Sequence, residues 1–345
     1  MNKPIQVLLA DDSPTMLRMF TGLLASATDI RVVGTAQDGA EAVSMARTLQ
    51  PDVITLDVRM PRMDGIEASE RIMSQVPSRI LVISGAMDAE MSFRALQAGA
   101  LEVMPKPTPG KEGLANFGAN LIHTIRSMAG VPLSQRKQAL TPAPIPLLRG
   151  GRVNGFGVVA ATGGPPALAM LLSLLPPSLP YPIFIAQHVS VGFTSGLRQW
   201  LGAASPLQME VARTGVKPQP GHVYLPPDGH QMQVLMTGEL LVEPVPHLHA
   251  TIGDTLLNSL ARVYGNRAGG AVLTGMGTDG AAGLLAIRRA GGLTFAQVPE
   301  SCVVPSMAEA AIRNGAAESS LSVDGLASAL RALSGPMPAL PLHRS

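Results

Sequence analysis

The chain has 345 residues, of which 46% are hydrophobic, and its formal net charge is only +2. This length allows two domains with separate cores, and the hydrophobic share excludes a mostly disordered chain. Because the charge is low and no long basic or acidic run occurs, nucleic acid and anionic membrane are not expected as main partners.

Cysteine usage and the amino-terminal residues bear on the compartment. The single cysteine, Cys302, rules out an intrachain disulfide and favours a reducing compartment. Residues 1–4 lead straight into a short strand and lack the apolar core of a signal peptide. No apolar run approaches the roughly 20 residues that a membrane-spanning helix needs. We therefore expect a cytoplasmic protein without membrane insertion.

Strands and helices are predicted to alternate through residues 1–128. Five apolar runs of strand length begin near residues 5, 30, 53, 79 and 101, and each precedes a segment with helical periodicity. Ser13 and Pro14 are suited to the cap and first turn of the first helix. This alternation predicts a doubly wound parallel sheet.

Polar residues follow the strands at the carboxyl edge of this predicted sheet. Asp11 and Asp12 follow the first strand, and Asp57 follows the third. Ser84 ends the fourth strand, and Lys106 comes just after the fifth. One such aspartate alone is more often a cap or turn residue. Converging carboxylates, however, need a hard cation such as Mg²⁺ between them, and the lysine and hydroxyl would steady a phosphoryl group.

These residues give residues 5–128 a resemblance to response-regulator receiver domains, which have a flavodoxin-like fold. The segments that carry it are Leu8-Leu9-Ala10-Asp11-Asp12-Ser13, Asp57 with Met60-Pro61 and Asp64-Gly65, Ser84-Gly85-Ala86, and Lys106-Pro107. The resemblance implies that a chemotaxis histidine kinase phosphorylates Asp57. It implies that Asp11, Asp12 and Asp57 bind Mg²⁺ and that Ser84 and Lys106 contact the phosphoryl group.

One position departs from the receiver pattern. The family often has an aromatic residue three positions before the lysine, and this chain has Val103 there. The aromatic rotation often linked to activation therefore cannot occur at this position.

Residues 129–152 are predicted to be a linker. They contain several prolines and no helical or strand period, which is typical of a partly extended tether. The run TPAPIP at 141–146 could also dock as polyproline, although a plain linker is favoured because the run is short.

Residues 153–345 are predicted to form a second α/β domain with a largely parallel sheet. The first buried strand, 158–161, leads into Gly163-Gly164 and then a helix in whose first turn Pro165 fits. Such a turn raises a side chain at the carboxyl edge of the sheet, where ligands of open α/β sheets bind. The turn suits a nucleophile, yet residue 161 is alanine.

Two further strand ends are predicted to meet this turn. His188 follows the strand 182–187, and Asp279 lies in the glycine-rich turn after the strand 270–274. Histidine and aspartate at one sheet edge have the arrangement of a base and its orienter. Each residue alone is more often a hydrogen-bonded turn or cap residue, so the spacing does not establish a triad.

The second domain resembles the methylesterase domain of chemotaxis protein-glutamate methylesterases. The matching segments are Thr162-Gly163-Gly164-Pro165, Gln187-His188, Pro220-Gly221-His222-Val223-Tyr224, residues 273–283 (LTGMGTDGAAG), Ala296-Gln297 and Ser301-Cys302-Val303-Val304. The resemblance implies that His188 is the general base and Asp279 its orienter. It places oxyanion stabilisation at the turn around Thr162 and the backbone near Met276, and it implies no cofactor in this domain.

The resemblance also implies an activity and its control. The substrates would be glutamate γ-methyl esters on methyl-accepting chemoreceptors, with deamidation of certain receptor glutamines. The receiver domain would cover the esterase cleft until it is phosphorylated.

The family's nucleophile is a serine immediately before Thr-Gly-Gly, and Ala161 occupies that place. A methyl group cannot attack an ester. Thr162 could substitute only if it took the place of residue 161 in the turn, because a one-residue shift turns a strand side chain to the other face. Cys302 is expected to have a packing role.

Two functions of different classes therefore remain open. One is the phosphorylation-controlled hydrolase, and the other is a catalytically impaired, phosphorylation-switched receptor-binding protein whose alanine is natural or engineered. A DNA-binding regulator is excluded because no helix-turn-helix or basic recognition helix follows the linker. His247 and His249 are a weak metal-site candidate because no Cys, Asp or Glu cluster accompanies them.

Overall fold

The computed structural model describes residues 3–85, 89–107, 110–131, 153–246 and 251–333, with backbone only at 89, 90, 111 and 112. Most of the predicted linker, 129–152, lies outside these ranges, as do His247 and His249.

The first domain is built on a five-stranded parallel sheet with the order β2-β1-β3-β4-β5. Its strands are β1 (Ile5–Ala10), β2 (Ile30–Ala36), β3 (Val53–Leu56), β4 (Arg79–Ser84) and β5 (Glu102–Pro105). Its helices are α1 (Pro14–Leu24), α2 (Gly39–Leu49), α3 (Gly65–Gln75), α4 (Ala89–Gln97) and α5 (Lys111–Ala129). This confirms the predicted doubly wound α/β fold.

Local sequence explains where these helices begin. Ser13 caps α1 by accepting the amide of Met16, with Pro14 in the first turn as expected. Asp38 and Asp64 accept amides in the first turns of α2 and α3 in the same way. Helices cover both faces of the sheet, and the strands are therefore buried. For this reason the side chains of β3 and of the centre of β1 are all apolar or small.

The second domain has a seven-stranded parallel sheet with the order β14-β13-β12-β6-β7-β9-β8 and a separate antiparallel hairpin, β10-β11. The strands are β6 (Gly155–Ala160), β7 (Ile183–Gln187), β8 (Gln208–Val211), β9 (His222–Leu225), β10 (His230–Val234), β11 (Leu240–Pro244), β12 (Ala268–Val272), β13 (Leu293–Gln297) and β14 (Ser319–Leu321). The helices are α6 (Gly164–Ser173), α7 (Thr194–Ala204), α8 (Ile252–Tyr264), α9 (Ala281–Arg289), α10 (Ser306–Arg313) and α11 (Val323–Ala332).

The strand order places the functional edge of this sheet. The chain adds β7, β9 and β8 on one side of β6 and later adds β12, β13 and β14 on the other side. The direction of winding therefore reverses beside β6, which is the switch point where open α/β sheets bind ligands. Ala161 is the residue that follows β6 there.

An aromatic contact joins the two domains. The ring of Phe93 in α4 stacks on Trp200 in α7, with centroids 5.7 Å apart, and meets Phe193 edge-on at 6.4 Å. Phe93 is only 1% exposed. Because burial of such a large ring in water-free packing stabilises an interface, α4 anchors the first domain on the second.

Within the described ranges, no helix has both the length and the hydropathy needed to cross a bilayer.

Candidate functional site

The predicted acidic residues of the first domain do converge. Carboxylate oxygens of Asp11, Asp12 and Asp57 lie within 4.8 Å of one another. Asp11 and Asp57 are buried, whereas Asp12 is exposed. The reason is topological, because β1 and β3 are neighbours in the sheet and their carboxyl ends meet at one edge.

Lys106 lies at the same edge and contacts two of the carboxylates. Its Nζ donates to Asp57 Oδ2 at 2.7 Å and lies 3.0 Å from Asp11 Oδ2. Burial raises the pKa of Asp57 to about 6, although Lys106 acts against this rise. Burial would lower the pKa of Lys106, but its bonds to Asp57 and Asp11 outweigh that effect and raise the pKa, so the lysine stays charged.

The donor set fits Mg²⁺ and a phosphoryl group. Carboxylate oxygens are the ligands that Mg²⁺ prefers. Ser84 Oγ is fully buried and has no hydrogen-bond partner among the described residues. An unpaired buried hydroxyl is costly, and Ser84 ends β4, which pairs with β3, the strand that Asp57 follows.

In the second domain the turn after β6 is tightly constrained. The Ala161 amide donates to Thr274 O at 3.0 Å, and its carbonyl accepts from the Gly164 amide at 2.7 Å. Gly163 has a φ of 75°, and a Cβ there would lie 2.4 Å from Cβ of Val303. Both conditions require glycine, so the double glycine sets the shape of the turn that presents residue 161.

His188 and Asp279 form the predicted dyad. His188 Nε2 and Asp279 Oδ2 are 2.6 Å apart, and the His188 side chain is 36% exposed. Parallel pairing of β6 with β7, in which Ala160 faces Gln187, sets Ala161 and His188 side by side. Because Nε2 faces the aspartate, Nδ1 is the ring nitrogen left for proton transfer.

Asp279 is held as an anion by the amino terminus of α8. Its carboxylate accepts the amides of Gly253 and Asp254, each at 2.8 Å. Burial would raise the pKa of Asp279, but the hydrogen bonds from His188 and these amides hold it below its ordinary value. A carboxylate at a helix amino terminus is also favoured by the helix dipole. Asp279 is therefore equipped to orient His188 and to stabilise its charged form.

Asp254 is a residue that the sequence reasoning missed. It lies in the first turn of α8 and accepts the amide of Gly283 in α9 at 2.7 Å. Its own amide is a donor to Asp279, so the two aspartates cap each other's helices reciprocally. The first-turn acidic residue of an amphipathic helix was visible in the sequence, but its partner on α9 was not.

Glu102 is a second residue that sequence reasoning missed. It begins β5 of the first domain, and its carboxyl group is close enough to the Thr162 side chain of the second domain for that threonine to lower its pKa. The amide of Val103 also donates to its Oε1 at 3.0 Å. Burial raises the pKa of Glu102 to about 7, although the Val103 amide and Thr162 act against this rise. A carboxyl group of one domain thus lies against the turn that carries Ala161 in the other.

Apolar contacts between the two domains lie beside the contact of Glu102 with this turn. Val304 belongs to the same cluster of buried apolar residues as Leu121 and Ile125 of α5, and Met276 and Val303 pack against that cluster. Ser127 of α5 also contacts the Met276 sulfur. The β5–α5 side of the first domain therefore covers the glycine-rich turns around Ala161.

Cys302 has the packing role expected of it. It is buried, and burial together with nearby Glu300 and Glu309 raises its pKa to about 12. The thiol is therefore protonated at neutral pH and is a poor nucleophile.

Comparison with known proteins gives a consistent result. Residues 156–330 match the family described as CheB methylesterase, and residues 7–116 match the response regulator receiver domain. A relative from Myxococcus xanthus named protein-glutamate methylesterase/protein-glutamine glutaminase 3 is 50% identical over 315 residues, covering 90% of this chain and 88% of the relative. A protein-glutamate methylesterase/protein-glutamine glutaminase of Nitrosospira multiformis is 42% identical over 343 residues, covering 94% and 96%.

Proposed function

The chain belongs to the CheB methylesterase family and carries that family's catalytic domain behind a response-regulator receiver domain. From this membership we propose that it is a receiver-controlled protein-glutamate methylesterase/protein-glutamine glutaminase of chemotaxis. The substrates are glutamate γ-methyl esters and certain glutamines on methyl-accepting chemoreceptors. The observation that supports this best is the His188–Asp279 dyad beside the turn after β6.

The dyad determines the chemistry that the site can perform. A hydroxyl at position 161 would attack the ester carbonyl while His188 Nδ1 takes its proton. His188 then gives that proton to the departing methoxide, and Asp279 stabilises the intervening imidazolium. Water hydrolyses the resulting acyl-enzyme by the same proton transfers. The amides of the turn around Thr162, and the backbone near Met276, would stabilise the oxyanion.

Ala161 removes the first of these steps and favours a second candidate function. Its side chain is a methyl group that lies against Gly275, where an added Cβ would be 2.8 Å away. Without a nucleophile, the chain would recognise methylated receptors under phosphorylation control and release little methanol. This second candidate is a catalytically impaired receptor-binding protein.

A single comparison separates the two candidates. The natural chain and its His188→Ala variant are activated with Mg²⁺ and beryllofluoride, and methanol release from methylated receptor membranes is measured alongside sedimentation of the protein with those membranes. A rate above that of His188→Ala supports an enzyme that uses water or Thr162. Equal, background rates with retained membrane binding support the binding protein, and neither methanol nor binding would contradict both.

We propose that phosphorylation of Asp57 in the receiver domain controls the second domain. Asp11, Asp12 and Asp57 would hold Mg²⁺, which when bound supplies positive charge to the phosphoryl transfer. Ser84 and Lys106 would bond the phosphoryl oxygens, and a histidine kinase would supply the group. The orphaned Ser84 hydroxyl supports this assignment most directly.

We expect Asp57→Asn to abolish the response of the interdomain contact to beryllofluoride and Mg²⁺. Trp200 is the chain's only tryptophan and stacks on Phe93 of the receiver, so its emission reports the contact. Emission should shift to the red when the receiver separates and water reaches the ring. The matched control is Asp29→Asn, which removes an exposed receiver carboxylate paired with Arg126 and should keep the response. An unchanged response in Asp57→Asn would contradict the assignment.

We propose that Glu102 makes the contact between the receiver domain and the turn after β6, called the covered state, depend on pH. Burial raises its pKa to about 7, so the covered state favours the protonated carboxyl. Such a group stabilises the covered state fully below its ordinary pKa of 4.5, and that contribution is lost as pH rises through about 7. Without beryllofluoride, the Trp200 emission of the natural chain should therefore shift further to the red between pH 5.5 and 8 than that of Glu102→Gln. The same pH dependence in both chains would overturn this role.

A further inference from the structure

Gln187 connects the two elements that carry the catalytic positions. It is the last residue of β7 and is 5% exposed. Its Nε2 donates to the carbonyl of Ala161 at 2.9 Å and to the carbonyl of His188 at 2.8 Å. One side-chain amide thus bonds the main chain at the nucleophile position and at the base.

The bond to Ala161 fixes the direction of a peptide group. In a trans peptide the carbonyl of residue 161 and the N–H of Thr162 point in opposite directions. Gln187 and the Gly164 amide together hold the carbonyl inward. The Thr162 N–H is therefore directed away from Gln187, and within the described ranges no acceptor bonds to it. An amide with this orientation and no partner is available for an oxyanion.

The surroundings of Gln187 admit only one orientation of its amide. A Cβ at Gly164 would lie 2.1 Å from Gln187 Oε1, so the second glycine of the turn leaves the space that this side chain fills. Oε1 is buried and finds no hydrogen-bond partner among the described residues. The reversed amide would place Oε1 against two carbonyl oxygens, which repel it, so the two donor bonds outweigh the unpaired acceptor.

We propose that Gln187 is a positioning residue that aims the Thr162 amide at the oxyanion of the reaction. The role rests on the proposed function, and it acts through the backbone without contact to the substrate. Losing Gln187 should leave substrate binding intact and weaken stabilisation of the transition state, because the donor remains present but loses its fixed direction.

The kinetic test uses Ala161→Ser as the parent, activated with beryllofluoride and Mg²⁺. Gln187→Met keeps the length of the side chain and removes both donors. It should lower kcat by about 10- to 100-fold with KM changed by less than about threefold. The matched control is Tyr181→Phe, which removes another buried side-chain bond to a carbonyl, that of Leu330, away from the site. Tyr181→Phe should keep kcat, and an equal loss in both variants would overturn the proposal.

Gln187→Glu supplies a pH profile that a structural role does not produce. A protonated glutamic acid can donate to one of the two carbonyls, whereas the ionised form repels both. The rate of this variant divided by the parent's rate should therefore fall as pH rises. A ratio that is constant across pH would contradict the positioning role.

A measurement without activity separates failure of this inference from failure of the proposed function. In the natural chain, the amide proton resonance of Thr162 should shift or broaden in Gln187→Met and stay unchanged in Tyr181→Phe. If the resonance changes but the Ala161→Ser parent releases no methanol, the positioning stands and the proposed reaction fails. If the parent is active and the resonance and kcat are both unaffected by Gln187→Met, the positioning is wrong.

Discussion

Ala161→Ser is expected to raise methanol release from methylated chemoreceptors by about 10⁴-fold or more, because loss of the serine costs about 10⁶-fold in turnover in a well-studied serine hydrolase. The remaining parts of the site are in place. The turn after β6 presents residue 161, and His188 with Asp279 lies on the neighbouring strand end. The assay compares the natural chain and the variant, both activated with beryllofluoride and Mg²⁺.

The local packing accepts the added hydroxyl. Ala161 is 8% exposed, and Gly275, which has no side chain, lies opposite its methyl group. A serine adds one oxygen to that methyl and can turn it toward His188. The control is Ala161→Ser combined with His188→Ala, which should return to background. Equal rates for the natural chain and Ala161→Ser would show that residue 161 is not the nucleophile position.

The same assay decides the role of Thr162. Thr162 is the residue after Ala161, and its side chain lies near the carboxyl group of Glu102 in the first domain. If the natural chain has a measurable rate and Thr162→Val abolishes it, the threonine is the nucleophile. If Thr162→Val leaves that rate unchanged, His188 activates water directly.

Hydrophobic periodicity predicted most of the fold, because buried parallel strands are short, apolar and bounded by turns. It missed β8 and β14, which are short edge strands with half-exposed or polar residues and therefore lack that signal. It placed Pro165 in the first turn of the helix after the double glycine, and α6 does begin at Gly164 with Pro165 and Pro166 in its first turn. Proline is compatible with a first helical turn, and that turn is where these prolines lie.

In the candidate site, too, the contacts that follow from sheet topology were predicted, and the contacts that depend on packing between elements were not. Because the carboxyl ends of parallel strands share one edge of the sheet, the sequence predicted that His188 meets Asp279 and that Asp11 meets Asp57. Both contacts are present. Asp254, Glu102 and the function of Gln187 could not be predicted in this way. Asp254 contacts a second helix, Glu102 contacts the other domain, and Gln187 bonds main-chain carbonyls. Such contacts depend on tertiary packing that no local sequence pattern encodes.

Asp279→Asn, made in the Ala161→Ser chain, is expected to lower kcat by about 10⁴-fold, as loss of the equivalent carboxylate does in the serine-protease triad. Asp279 accepts from His188 and remains ionised at the amino terminus of α8. An amide in its place can present an N–H to the imidazole, which stabilises the wrong tautomer and leaves the imidazolium without a counter-charge. Methanol release under saturating methylated receptor gives the required kcat.

The reciprocal capping of α8 and α9 supplies the control for this variant. Asp254→Asn also changes a carboxylate that accepts helix-terminal amides, but the Asp254 side chain accepts from α9 and has no bond to His188. If Asp279 acts by orienting the base, Asp254→Asn should change the thermal midpoint little and reduce kcat by less than about tenfold, because the asparagine Oδ1 can still accept the Gly283 amide and Asn caps helices about as well as Asp. Comparable losses of kcat in both variants would mean that capping, and not the contact with His188, accounts for the effect of Asp279.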